Sequence, residues 1–211
     1  MARIKNGILG GFSGKVGSVV GYGIGDESYI RSIPKYPKKF TAKELVNQSK
    51  FKLVNDYLKS FRELLKVGFK NHYTKTGGLR AAVSYTMKNA LLQQGDNFSI
   101  APELIKISGG ELPQALNVVV SLFSKDTLII SWENASRSNW YDQLILLAYD
   151  AKTADSISLI YDGPLRKEKQ LELKLPLALQ NTSLDIYIGF IAPDRSSQSN
   201  SQYLGRISMI D

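Results

Sequence analysis

Seven short runs in the second half of the chain most restrict what it can fold into. They read "NVVVSLF", "TLIISWE", "DQLILLAYD", "SISLIYDG", "EKQLELKLPL", "SLDIYIGFIAPD" and "QYLGRISMI", all between residues 108 and 211. Most alternate apolar and polar residues with period two, and polar or Gly/Asp-containing turns separate most of them. An alternating run suits a strand with one face on a core and one in water. Seven such strands in about 100 residues predict an antiparallel β-sandwich.

Residues 41–95 contain no proline and show a different period. "TAKE" at Thr41–Glu44 is a capping box, in which the Thr41 hydroxyl accepts from the Glu44 N–H and the Glu44 carboxylate reaches back. Phe51, Val54, Leu58, Phe61 and Leu65 follow at spacings of three and four, with Tyr57 and Leu64 widening the stripe. The pattern predicts one amphipathic helix ending near Gly68. After the connection "HYTKTGG", Leu79, Val83, Met87 and Leu91 predict a second helix, antiparallel to the first. The heptad-like spacing leaves a coiled-coil dimer as the alternative.

The first 40 residues are rich in glycine. "GILGGFSGKVGSVVGYGIG" fails as a Walker A loop, because Leu9 stands at the first glycine position and Val16 at the Mg²⁺-binding hydroxyl. It fails as a dinucleotide fingerprint because Asp26 stands at the third glycine. "GFSG" has the Gly-x-x-Gly form that clamps nucleotide backbones, but no helical pattern flanks it. The remaining reading is structural. "KVGSVVGYGIGDESYIRSI" reads as a β-hairpin whose first strand carries Gly17, Val19 and Gly21 on a side-chain-poor face, with Tyr22 on the other. The preceding "NGILGGFSG" reads as an extended arm. An isolated hairpin is marginal, so this one must pack on the helices or on another subunit. Gly17, Val19, Gly21 and Tyr22 are therefore the expected assembly contacts.

Net charge is +8 over 211 residues and unevenly spread. Residues 1–100 hold 17 Lys and Arg against 6 Asp and Glu, whereas residues 101–211 hold 10 against 13. The asymmetry suggests two units with different surfaces, a basic one over 1–107 and the sandwich over 108–211. In the basic part, Arg31, Lys35, Lys38 and Lys39 surround Pro34 and Pro37, with Tyr36 and Phe40 beside them. This strip reads either as a solvated linker or as a phosphate-contacting surface for nucleic acid.

Catalytic constellations are missing. The chain has no cysteine and one histidine, His72. Disulfides, thiolate nucleophiles and sites with two His ligands in one chain are thereby excluded. Asp142, Asp150, Asp155 and Asp162 read as turn formers, without the spacing of a calcium loop. No metal or cofactor is expected. Trp140-Tyr141 reads as a cover for one end of the sandwich, or else as a recognition patch for sugar or protein. The opening has no signal-peptide core, and no apolar run nears the ~20 residues that span a bilayer. The expected location is cytoplasmic or particle-associated.

Two resemblances sharpen this reading. Trp132 ends the second predicted strand, and "YIGFIAP" is similar to a late tyrosine-bearing strand; both resemble the fibronectin type III and immunoglobulin-like pattern. Over most of the chain, "MARIKNGILGGFSGKVGSVVGY", "YIRSIPKYPKKFTAKELVNQSKF" and "AVSYTMKNA" resemble a family of proteins of unknown function from Bacteroidota, which implies no activity and no catalytic residue. The segment around "YIRSIPKYPKKF" is also similar to small phage and prophage proteins with a Gly-rich hairpin, although Gln48 is the lone glutamine where those have a Gln-rich helix start. The expectation is an α+β chain: an N-terminal β-hairpin and helical hairpin, then an Ig/fibronectin-III-like sandwich. Its expected function is non-enzymatic and structural, with a homo-oligomeric or protein partner reached through the glycine-rich hairpin. The alternative is nucleic-acid binding by the basic unit, and a third reading is a carbohydrate- or surface-binding sandwich.

Overall fold

The structure is a computed structural model and describes residues 3–4, 10–33, 35, 39–71, 77–95 and 97–209. The chain divides into two compact units, 1–46 and 47–211.

In the first unit β1 (Arg3–Ile4), β2 (Phe12–Val16), β3 (Val19–Ile24) and β4 (Glu27–Ser32) form one antiparallel sheet in that order. The expected return strand "ESYIRS" is β4. The expected first strand is not continuous, however. Val16 pairs directly with Val19, so Gly17-Ser18 is a two-residue turn. Gly17 has φ +55°, in the left-handed region that such turns require and that glycine enters without strain. Of the residues expected as an arm, 12–14 begin β2, and 6–9 lie outside the described residues.

α1 (Ala42–Tyr57) begins at the predicted capping box. The Thr41 N–H donates to Glu44 Oε2 at 2.7 Å, and the Glu44 N–H donates to Thr41 Oγ1 at 3.3 Å. The Thr41 N–H and hydroxyl, both donating to Glu44 Oε2, hold the Glu44 carboxyl below the ordinary carboxylate range. The predicted single helix is interrupted. A 3₁₀ turn at Lys59–Phe61 separates α1 from α2 (Arg62–Gly68). Val54, Leu58, Phe61, Leu64 and Leu65 are buried, but Phe51 is 56% exposed, so the buried stripe starts one turn later than its sequence period. α3 (Gly78–Asn89) follows. Leu91, expected as its last apolar position, opens a hairpin of β5 (Leu91–Gln94) and β6 (Asn97–Ile100) that periodicity did not indicate.

The seven runs of the second half all form strands: β7 (Ala115–Ser124), β8 (Thr127–Asn134), β9 (Gln143–Tyr149), β10 (Ser156–Leu159), β11 (Gln170–Lys174), β12 (Ser183–Ile191) and β13 (Gln202–Ser208). They make two antiparallel sheets, ordered β11-β8-β7 and β10-β9-β12-β13. Leu128, Ile130, Trp132, Leu144, Leu146, Ile186, Ile188 and Phe190 fill the space between them. Trp132 is 3% exposed, as expected of an inward indole.

The second sheet has a second buried face. Ile145, Leu147 and Tyr149 of β9 and Tyr187 and Ile191 of β12 share a core with Val54, Leu58, Phe61, Leu64, Leu65 and Phe69. β9 and β12 are thus buried on both sides, which explains why "LILLAY" and "DIYIGFI" are nearly continuous apolar runs. α1 from residue 47 onward, α2 and α3 therefore belong to the same compact unit as the sandwich, whereas the sequence suggested a division after residue 107.

Candidate functional site

Two surfaces collect the residues that sequence reasoning singled out. The first is the N-terminal sheet. Cross-strand register places Gly14, Gly21 and Ile30 in one row and Gly23 beside Ser28 in the next. A side-chain-poor face is present, but Gly17 is in the turn rather than on it. A Cβ on Gly21 would lie 2.2 Å from the Phe12 carbonyl oxygen, so the close approach at Gly21 is made by β2 of the same sheet. Gly21 is the one buried residue among β2, β3 and β4, whereas Val19 and Tyr22 are half-buried. On the opposite face Tyr22 stacks on Tyr29 at 5.7 Å, and the Arg31 guanidinium lies 5.4 Å above the Tyr22 ring. Lys35 and Lys39 are exposed, and Lys38 lies outside the described residues.

The second surface is one end of the sandwich. The register pairs Gln143 with Ile191 and Gln170 with Ser131, so the loops 135–142, 160–169 and 192–201 meet there. Beneath them Arg166 and Asp142 are buried, with Arg166 Nε donating to Asp142 Oδ2 at 3.2 Å and Nη2 to the Pro113 carbonyl at 2.7 Å. The guanidinium lies 3.6 Å from the centre of the Phe190 ring, and Trp132 Nε1 donates to the Arg166 carbonyl at 3.2 Å. Burial holds the Asp142 carboxyl above the ordinary range against the pull of Arg166. Asp142 was expected as a plain turn former. It is instead half of an ion pair that joins two loops, and no local pattern links residues 24 positions apart. Asp150 and Asp162 do act in turns, accepting from the Lys152 and Ile160 N–H groups.

Above this pair, Trp140 is 62% and Tyr141 60% exposed, so they do not cover the end of the sandwich. Lys167 Nζ lies 5.3 Å over the Tyr141 ring, and the Arg195 guanidinium 3.9 Å over Tyr161.

His72 lies outside the described residues. Among the described residues no three His, Cys, Asp or Glu side chains are placed to hold a metal ion. A polar cluster joins β12 and β13 to the segment at Pro102. Tyr203 donates to Asp185 Oδ1 at 2.8 Å, Arg206 donates to both Asp185 oxygens, and the Tyr187 hydroxyl donates to the Pro102 carbonyl. Burial pushes the Tyr57 and Tyr187 hydroxyls well above the ordinary phenol range, and those of Tyr149 and Tyr203 up to about 12 each. Phenols so held keep their protons at neutral pH and serve packing. No helix among the described residues is long and apolar enough to cross a membrane.

The sheet order, with three and four antiparallel strands around an inward tryptophan, defines a fibronectin type III/Ig-like sandwich, here preceded by helices and a glycine-rich sheet. The chain belongs to DUF6266, a family of unknown function, whose model matches residues 11–205. Solved structures similar to it include an FN3 domain of human collagen XX, 15% identical over 47% of this chain and 93% of that one, at a TM-score of 0.37. A titin module, A71 from human cardiac muscle, is 10% identical over 48% of this chain and 95% of that one, at 0.38. The FN5 domain of Drosophila Lar is 8% identical over 46% and 95%, at 0.33. No curated protein matches the chain.

Proposed function

We propose that this chain is a non-enzymatic structural protein that docks onto a neighbouring copy through its glycine-rich N-terminal sheet. One observation carries the reading: among the described residues of 1–46, no side chain is buried, and Gly21 is the only buried residue. Val16 is 51% and Ile30 65% exposed. A four-stranded sheet gains its stability by burying an apolar face, at about 25 cal/mol per Å². A sheet with no buried side chain among its described residues gains that stability when another surface covers it.

Sedimentation of the full chain tests this. The wild type is expected to associate, and Ile30→Asp to weaken that association by placing a charge in the covered face. Gly21→Val should do the same indirectly, because its side chain meets the Phe12 carbonyl and deforms the sheet. Identical sedimentation of all three proteins would end this reading. Salt-sensitive binding of an oligonucleotide, lost when Arg31, Lys35, Lys38 and Lys39 become glutamine, would replace it with the nucleic-acid alternative.

A further inference from the structure

We infer that the sandwich pairs with a second copy of this chain through the free edge of β7, forming a two-fold dimer with one continuous six-stranded sheet. The two edges of the β11-β8-β7 sheet differ in kind. β11 has five residues, and Gln170, Glu172 and Lys174 are exposed along it. Short, charged edges resist pairing. β7 has ten residues and not one charge or proline from Ala115 to Ser124. Its Leu116, Val119, Leu122 and Phe123 are 49%, 57%, 49% and 70% exposed. No described strand pairs with β7 on the side away from β8. Among the described residues only its first residue is occupied there, where the Gln202 side chain donates to and accepts from the Ala115 backbone.

An unpaired strand edge offers alternating N–H and C=O groups, and the surface that satisfies them is another extended backbone. Three features select the same strand of a second copy. First, β7 has no charged residue with which to choose a foreign peptide, whereas its apolar residues complement themselves. Antiparallel pairing about a two-fold axis normal to the sheet keeps each outer side chain on the outer face. Val119 and Ser121, which pair with Ser131 and Ile129 of β8, then stay on that face in both copies, each beside a different residue of the partner strand except at the axis. Second, the charge of the chain does not oppose the contact. Residues 1–100 hold 17 basic against 6 acidic side chains, but residues 101–211 hold 10 against 13, so two sandwiches meet with little net charge. Third, the assembly stops at two. Joining β7 to β7 leaves β11 at both ends of the sheet, and its charges prevent further addition, as a closed isologous interface requires.

The absence of cysteine makes a direct test clean. In the otherwise unchanged full chain, Val119→Cys, Ser121→Cys and Phe123→Cys are prepared singly, with Glu172→Cys on β11 as control, and each is mildly oxidised. In antiparallel pairing a residue meets its own counterpart only at the two-fold axis. Disulfide-linked dimer should therefore peak at one β7 position, fall at its neighbours two residues away, and be lacking at Glu172→Cys. Sedimentation of the Ile30→Asp chain should give twice the chain mass, and Val119→Lys/Phe123→Lys added to it the monomer mass with an unchanged circular dichroism spectrum. Equal cross-linking at β7 and β11, or a monomeric wild type, would overturn the inference. The Ile30→Asp variant keeps the two contacts separate. A β7 disulfide that forms undiminished in it supports the β7 dimer whatever becomes of the N-terminal reading; one that is lost assigns the contact to the N-terminal sheet and overturns this inference.

Discussion

At the scale of single residues, the buried Arg166–Asp142 pair is the sharpest test of the sandwich end. Ion pairs of this kind add little net stability, because desolvation offsets attraction, but removing one partner leaves a bare buried charge. Arg166→Met conserves much of the volume and should cost about 3–5 kcal/mol at neutral pH. The cost should shrink in acid. Without the guanidinium, burial alone acts on the Asp142 carboxyl and raises it further, while the unfolded value stays near about 4. A raised carboxyl holds its proton longer in the folded chain than in the unfolded one. The folded state therefore loses stability as pH rises from about 4 through the raised value. Below that window both states are protonated and the penalty vanishes. Thermal unfolding of wild type and Arg166→Met at pH 4 and pH 7 should show the narrower gap at pH 4. A gap that is the same at both pH values would mean that Asp142 finds another partner. Nothing near Asp142 in sequence announces this pair, since the expectation was built from local turn chemistry, and turn chemistry describes Asp150 and Asp162 correctly.

At the scale of elements, strands were legible and interruptions were not. Most of the sandwich strands follow from alternation bounded by turns, because a half-buried strand must alternate, whereas β9 and β12, buried on both faces, read as short apolar runs between turns. The same logic misplaced the first glycine-rich strand. Gly17 serves equally well on a flat strand face or in a left-handed turn, and only the pairing of Val16 with Val19 decides between them. For the helix, the stripe from Phe51 to Leu65 continues through a 3₁₀ turn that keeps Val54, Leu58, Phe61 and Leu65 inward but leaves Phe51 outside. Period alone cannot say where a helix meets its core and where it runs past it. Phe51→Ser should thus change stability by no more than about 0.5 kcal/mol, as for surface positions generally. Phe61→Ala, at 2% exposure with its ring 5.2 Å from Tyr149, should cost about 3–5 kcal/mol. Urea denaturation of the two variants measures both. Equal losses would mean that Phe51 is covered in solution, which would point to the helical surface as a further contact.

At the scale of the molecule, composition and charge suggested a division after residue 107, and the physical question is which fragment carries a complete core. The inter-sheet core of Leu128, Ile130, Trp132, Leu146 and Phe190 lies wholly within residues 108–211. The outer face of the second sheet does not close within that fragment. Ile145, Leu147, Tyr149, Tyr187 and Ile191 are covered by residues between Val54 and Ile107, and each is at most 2% exposed in the whole chain. Removing 1–107 would bare a contiguous apolar surface, which soluble monomers seldom present. We therefore expect a fragment of residues 47–211 to unfold cooperatively and to bind little hydrophobic dye. A fragment of residues 108–211 should keep a β-type circular dichroism spectrum, because its inter-sheet core is intact, yet bind dye strongly and associate as its concentration rises. Replacing Leu147 and Tyr187 with polar residues in that shorter fragment should reduce dye binding and association without abolishing the β signal. A 108–211 fragment that melts cooperatively as a monomer without dye binding would place the folding boundary where the charge asymmetry suggested. It would also make the helices an accessory layer rather than part of the core.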